Sequence, residues 1–155
     1  MDITRPSIEQ IEAILNACSG KQMWGVLVSE MGLSFEIGRD WKHPRTGELH
    51  GRITVFVRCA WEIYRGSSLL ADSEMEENAG KSNNVQSLLE GKIIRRVTLD
   101  RKTHRLEICS DVEERIVITP PRREDKYESW TMFHVVLPEA RYSCTFDGAK
   151  VYYNE

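Results

Sequence analysis

The most regular stretch of the chain is residues 52–64, RITVFVRCAWEIY, in which every second residue is apolar. Side chains alternate between the two faces of a β-strand, so this pattern predicts a strand with one buried face and one wetter face. The apolar positions from Ile53 to Ile63 form the buried face. Because the stretch is longer than most strands, we predict a bend or bulge near 58–60, where the strand changes partners.

Two segments have helical features. Residues 7–18 carry apolar side chains at helical spacing, and Ser7 with Gln10 forms a capping-box pattern at the start. Gly20 suits a left-handed helix end. A short second helix is predicted at 85–90, with Asn84 as its N-cap.

The remaining apolar segments mostly repeat with period two and are separated by turn residues. The chain is therefore predicted to be an α+β protein that is rich in strands. We expect mainly antiparallel sheets, an N-terminal helix and a short mid-chain helix. Residues 39–50 read as a polar loop, and Asp147-Gly148 between two apolar runs favours a closing hairpin. The further predicted strands are 21–29, 33–38, 68–71, 92–99, 104–110, 115–119, 129–136, 142–146 and 150–153.

The two halves of the chain resemble each other. Gly20-Lys21 recurs as Gly91-Lys92, 71 residues later, and a tryptophan stands late in each half, at Trp61 and Trp130. We interpret this as a candidate pseudo-twofold duplication, although chance matches at a free offset are common and also explain it. The predicted organisation is one compact domain, 1–155, with repeat units 7–72 and 84–155 joined by an acidic polar linker, 73–83.

Composition is that of an ordinary soluble globular protein, with 155 residues, 41% apolar and 29% charged, and a net charge of −3. No apolar run reaches the roughly 20 residues that span a bilayer, and the first residues lack a secretory signal. We therefore expect a cytoplasmic protein without a membrane partner. Basic residues cluster in 95–105, but the acidic balance argues against a nucleic-acid partner.

No catalytic or metal-binding pattern is present. The sequence has no GxSxG, no phosphate-binding glycine loop and no closely spaced histidines, so we expect no catalytic residues, no metal, no cofactor and no enzymatic activity. The histidines are His43, His50, His104 and His134. The cysteines are widely spaced and are predicted to be mostly buried free thiols. They are Cys18, Cys59, Cys109 and Cys144.

Aromatic and arginine side chains are favoured anchors of protein interfaces, and acidic runs steer basic partners. Some candidates lie on the wetter face of the long strand, some in predicted loops, and some in an acidic run. An alternative interpretation buries Phe56 and Tyr64 under the N-terminal helix. The candidate partner-binding residues are Trp41, Phe56, Arg58, Tyr64, Asp72, Glu74, Glu76, Glu77, Asp125 and Tyr127.

From Cys59 to the C-terminus, the segments CAWEIY, RGSSLLADSE, LLEGKIIRRVTLDRKTHRLEI and DKYESWTMF resemble a group of small bacterial proteins of unknown function. The shared motifs are structural. Some small α+β proteins of this appearance look like immunity proteins of bacterial toxin systems, which is an analogy of fold.

The lack of a catalytic pattern, the acidic run and the aromatic candidates predict a non-enzymatic protein that binds another protein. The resemblance makes a bacterial toxin the expected partner. One alternative is a small-molecule-binding protein or enzyme with a pocket between the two units. Another is a homodimeric structural protein that pairs through an edge strand.

Overall fold

The computed structural model of the chain describes residues 7–29, 32–38, 41–42, 47, 49–51, 53–73, 82–120, 133–137, 142–146 and 151–154. These residues form two antiparallel sheets and two helices, which confirms the predicted α+β, strand-rich class.

The helices are α1 (Ile8–Asn16) and α2 (Ser82–Leu89). The strands, in chain order, are β1 (Met23–Ser29), β2 (Gly32–Ile37), β3 (Trp41–Lys42), β4 (Leu49–His50), β5 (Ile53–Val57), β6 (Ala60–Arg65), β7 (Ser68–Asp72), β8 (Ile94–Leu99), β9 (Leu106–Ser110), β10 (Glu114–Thr119), β11 (Phe133–Leu137), β12 (Tyr142–Phe146) and β13 (Val151–Asn154). Sheet 1 has six strands in the order β1-β2-β5-β11-β12-β13. Sheet 2 has five in the order β7-β6-β10-β9-β8, and β3 pairs only with β4.

The long period-two segment bends where its pattern predicted. It leaves sheet 1 after Val57 and enters sheet 2 at Ala60, so that β5 pairs with β2 and β11 while β6 pairs with β10 and β7. Because the segment changes sheets at Arg58 and Cys59, its wetter side chains are divided between two different surfaces.

The two sheets are built in a reciprocal way. Strands β1, β2 and β5 are continued in sheet 1 by β11 and β12, whereas β8, β9 and β10 are continued in sheet 2 by β6 and β7. The Gly20 amide donates to the Ile94 carbonyl (2.7 Å), and the Gly91 amide donates to the Met23 carbonyl (2.8 Å). Gly20 and Gly91 are 71 positions apart, and so are Met23 and Ile94. The duplication itself stays a prediction, as does the division into one domain with two repeat units.

One hydrophobic cluster joins the inner faces of the sheets to the helices. Helix α1 packs on β8 and α2 packs on β1, so each helix contacts the first strand of the other half. The Ser7–Gln10 capping box is present, as predicted, and Ile11 and Leu15 bury the inner face of α1.

Two local predictions are wrong. Helix α2 begins at Ser82 and not at 85, so Asn84 lies inside its first turn and is not the N-cap. Val85 and Leu89 are both buried, and this packing extends a helix whose start has low intrinsic helix propensity. The predicted polar loop 39–50 contains the short two-stranded sheet in which Trp41 pairs with His50. The predicted Asp147-Gly148 turn lies outside the described residues.

Candidate functional site

The outer face of sheet 1 carries a depression that we call the notch, formed by Leu27, Gly32, Ser34, Phe56 and Arg58. Cross-strand pairing aligns Leu27 with Ser34 and Ser34 with Phe56. Two large apolar side chains therefore flank a small one. The groove has a volume of about 190 Å³, and Leu27 is 61% exposed at its edge.

Backbone approach at Gly32 fixes the end of the notch. Gly32 has φ +125°, and a Cβ atom there would lie 2.1 Å from the Val57 carbonyl oxygen. Only glycine fits, because both the dihedral angle and the contact exclude a side chain. The β1–β2 hairpin consequently lies close against β5, and the Arg58 backbone comes beside Gly32.

The outer face of sheet 2 carries a network of polar side chains that we call the ladder, formed by Glu62, Tyr64, Arg96, Glu107, Cys109 and Arg115. The Tyr64 hydroxyl donates to Glu62 (2.5 Å), and the Arg115 guanidinium stands 4.6 Å from the centre of the Tyr64 ring. Arg115 is also 3.6 Å from Glu107. The donated hydrogen bond and the nearby Glu62 carboxylate raise the pKa of the Tyr64 hydroxyl.

Sequence reasoning named residues from both surfaces as one interface. The structure brings Phe56 and Arg58 together in the notch but places Tyr64 in the ladder and Asp72 on β7, opposite Glu62. The division follows from the bend between β5 and β6. Phe56 and Tyr64 are half-buried on outer faces, while α1 packs on β8.

The other proposed contact residues lie outside the side chains that the structure describes. Trp41 is placed on β3 by its backbone. The remaining members of the acidic run and of the charged loop lie in 74–81 and 121–132, and their role stays a prediction. They are Glu74, Glu76, Glu77, Asp125 and Tyr127.

Sequence reasoning missed Leu27. The period-two pattern of β1 counted Trp24, Val26 and Val28 as one face, but the β1–β2 register shifts between Trp24 and Leu27. Gly25, with φ +62°, lies within this irregularity. An isolated glycine inside a strand pattern signals a bulge, which puts Trp24 opposite Glu36 and on the same outer face as Leu27.

A buried carboxylate lies at the inner end of sheet 2. Glu114 is 4% exposed, and its Oε1 atom accepts a hydrogen bond from Arg65 (2.6 Å), with the Lys92 Nζ atom 4.0 Å away. Its Oε2 atom has no hydrogen-bond partner. The Ser110 hydroxyl accepts from the Glu114 amide (3.3 Å). This corner carries an incompletely satisfied charge, which costs stability.

The alternative with a pocket between the two units can be compared with a depression that lies between residues of both units. A depression of about 210 Å³ separates α1 from β8 and is lined by Glu12, Asn16, Arg96 and Thr98 among others. The Glu12 carboxylate is already held by Arg101 at 2.5 Å.

Cys18, Cys59 and Cys109 are buried thiols, as predicted. Burial raises the pKa of the Cys59 thiol to about 12, which keeps it protonated at neutral pH. Among the residues that the structure describes, no three His, Cys, Asp or Glu side chains converge as metal ligands. Cys144 lies on β12, and its side chain is outside this description.

The edge-pairing alternative concerns edge strands, and β7 is one of the two in sheet 2. Its pairing with β6 shifts register between Ile63 and Tyr64. An irregularity of this kind twists an edge strand away from further pairing. In sheet 1 the corresponding strand, β12, pairs without a shift and is covered by β13.

Comparison with protein-family models, curated proteins and solved structures found no match to this chain. Within the described ranges, no helix combines the length and apolarity that crossing a membrane requires. The conclusions about function therefore depend on the site itself.

Proposed function

We propose that this protein acts without catalysis, by binding another protein through the notch. The observation that carries the proposal is the 61% exposure of Leu27 beside Phe56. A large apolar side chain at the rim of a groove gains free energy when a partner covers it, by about 25 cal/mol for each Å² removed from water.

The size of the notch favours a protein partner. Small-molecule sites usually measure roughly 300–1,000 Å³ and enclose their ligand. The notch has about 190 Å³, which matches one or two inserted side chains. An aromatic wall and an arginine at the rim are typical of interface anchors.

The frame of the notch is rigid enough to bind without rearrangement. Its three strands, β1, β2 and β5, are neighbours in sheet 1, and their inner faces carry fully buried residues such as Phe35 and Val55. The close approach of Gly32 to Val57 fixes the hairpin end. Preorganised surfaces lose less conformational entropy on binding.

The resemblance to immunity-like proteins makes a protein toxin the first partner to test. We propose that the partner is encoded beside the gene for this chain and that co-expression of this chain protects cells from it. Toxicity of the neighbouring gene product, together with rescue by this chain, supports the proposal. A toxic neighbour that this chain does not neutralise contradicts the immunity role.

The binding surface is tested with Leu27→Ser and a matched control, Leu69→Ser. Leu69 is also an exposed leucine, at 40%, but lies on β7 of the other sheet. We expect the Leu27 variant to weaken partner binding about tenfold or more in calorimetry and the control to leave it unchanged. Equal affinities for both variants would place the interface elsewhere.

A further inference from the structure

We infer that the notch recognises an extended segment of the partner in which an apolar side chain is followed, two residues later, by a carboxylate. This inference rests on the proposed function, because it specifies the chemistry of the segment that the notch binds. It combines the apolar walls of the groove with the charge at one end.

The apolar part of the recognition comes from Leu27 and Phe56. They stand on either side of Ser34, whose short side chain leaves space between them. The surface that lines the groove is mainly apolar, so the inserted side chain meets mainly hydrocarbon. A leucine- or valine-sized residue fits this volume, whereas a charged one would lose its hydration there.

The charged part comes from Arg58. Its side chain is exposed at the rim and, within the described part of the chain, forms no ion pair. Three other arginines near the two sheets are engaged by carboxylates: Arg65 with Glu114, Arg101 with Glu12, and Arg115 with Glu107. Among the residues that line the groove, Arg58 is the one arginine. An uncompensated guanidinium favours a carboxylate, which it can bind with two parallel hydrogen bonds.

The spacing follows from strand geometry. Phe56 lies on β5, Arg58 directly follows the last residue of that strand, and both line the groove. Two residues of extended chain span about 6.6 Å. An extended peptide that runs alongside has the same repeat. Its residues i and i+2 therefore reach Phe56 and Arg58 together. Adjacent residues of such a peptide would point to opposite faces.

The test is a titration of the ¹⁵N-labelled full chain with three blocked peptides. The first is acetyl-Thr-Leu-Thr-Glu-Thr-amide, the second replaces Glu with Gln, and the third moves Glu next to Leu. We expect shifts at the amides of Leu27, Ser34, Phe56 and Arg58. Binding of the second and third peptides should be about two- to fivefold weaker, which is the range for an exposed ion pair.

Two variants assign the charge contribution. Arg58→Gln should remove the difference between the Glu and Gln peptides, whereas Arg95→Gln, an exposed arginine on β8, should preserve it. If wild-type protein binds the Glu and Gln peptides equally, the inference is wrong but the notch remains a binding site. If no peptide shifts the notch amides, both the inference and the proposed function fail.

Discussion

At three matched positions, sheet 1 carries Leu27, Ser34 and Phe56, and sheet 2 carries Thr98, Glu107 and Val117. The match follows from pairing, because Leu27 pairs with Ser34 as Thr98 pairs with Glu107. Ser34 in turn pairs with Phe56 as Glu107 pairs with Val117. The same backbone frame therefore supports two outer faces that can be compared position by position.

The central position decides the difference. Ser34 is short and leaves a groove, whereas Glu107 is long and reaches Arg115 and the Cys109 thiol. Val117, beside Glu107, is only 1% exposed, although it faces away from the core. At this central position sheet 2 therefore pairs Glu107 with its own side chains. Sheet 1 leaves Leu27 exposed, and binding is the use that this difference favours.

At the buried ends of these strand pairs the difference is reversed, because here sheet 2 is the one with an incompletely satisfied side chain. In sheet 1 the paired residues Ile37 and Ile53 are fully buried and apolar. In sheet 2 the matching pair is Ser110 and Glu114, joined by the hydrogen bond from the Glu114 amide. At this matched pair sheet 1 is apolar, while sheet 2 buries a carboxylate.

The largest effect should come from Gly32→Ala. The new Cβ would collide with the Val57 carbonyl, and φ would be unfavourable. We expect a loss of at least about 3 kcal/mol in the free energy of unfolding, measured by urea denaturation.

The control for this prediction is Gly66→Ala. Gly66 also has a positive φ, but a Cβ there meets no atom within 4 Å. Only the backbone strain remains, so we expect a loss of about 1–2 kcal/mol. Equal losses for the two alanine variants would show that the β1–β2 hairpin end does not approach β5.

The next largest effect concerns the buried pair Ser110 and Glu114 of sheet 2, which we replace with the apolar pair found at the matching place in sheet 1. Glu114→Ala should cost about 1–3 kcal/mol, because it leaves Lys92 and Arg65 without their carboxylate. Arg65 is 59% exposed and can turn to water, which keeps the cost below that of a fully buried pair. The double variant Ser110→Ile/Glu114→Ile should be as stable as wild type within about 1 kcal/mol, or more stable.

Thermal and urea unfolding of both variants check this prediction. A double variant that is less stable than Glu114→Ala would mean that the carboxylate has a structural role that an apolar pair cannot replace.

A smaller effect on stability, but a clear one on binding, should follow from exchanging the central residues. Ser34→Glu fills the notch and brings a carboxylate toward the acidic group of the proposed ligand, so affinity for the Leu-Thr-Glu peptide should fall at least tenfold. Glu107→Ser loses one partly exposed ion pair, worth up to about 1 kcal/mol. It should leave peptide binding unchanged. Unaltered binding by the Ser34 variant would contradict the assignment of the notch.

The sequence predicted what depends on local periodicity. The alternation in 52–64 predicted both the strand and its bend, because a strand of that length cannot stay in one sheet. The capping box of Ser7 and Gln10 predicted the start of α1. Each of these features is encoded by residues within a few positions of one another.

The notch could not be predicted in the same way. Its walls come from residues 27 and 56 and its floor from Ser34, and their alignment depends on the register between three strands. A shift of one residue would move Leu27 or Phe56 to the other face. Phe56 and Arg58 were identified from parity alone. Strand pairing decides which residues lie beside them, and the odd or even position of a residue along its own strand does not predict that pairing.

The smallest effect concerns the ladder of sheet 2. Because the Tyr64 hydroxyl donates to Glu62, its pKa in the folded protein is raised above the usual value of 10.0. A group whose folded pKa is raised contributes stability below its unfolded pKa, and this contribution is lost as the pH rises through the folded value.

Glu62→Ala should therefore lower the pKa at which Tyr64 titrates, read as tyrosinate absorbance relative to a Tyr64→Phe background. Since Tyr64 is only half-buried on an outer face, we expect a shift in titration with little change in unfolding at neutral pH. An unchanged titration would mean that Glu62 does not accept the hydrogen bond from Tyr64. The contrast between the satisfied outer face of the ladder and the open notch would then be weaker.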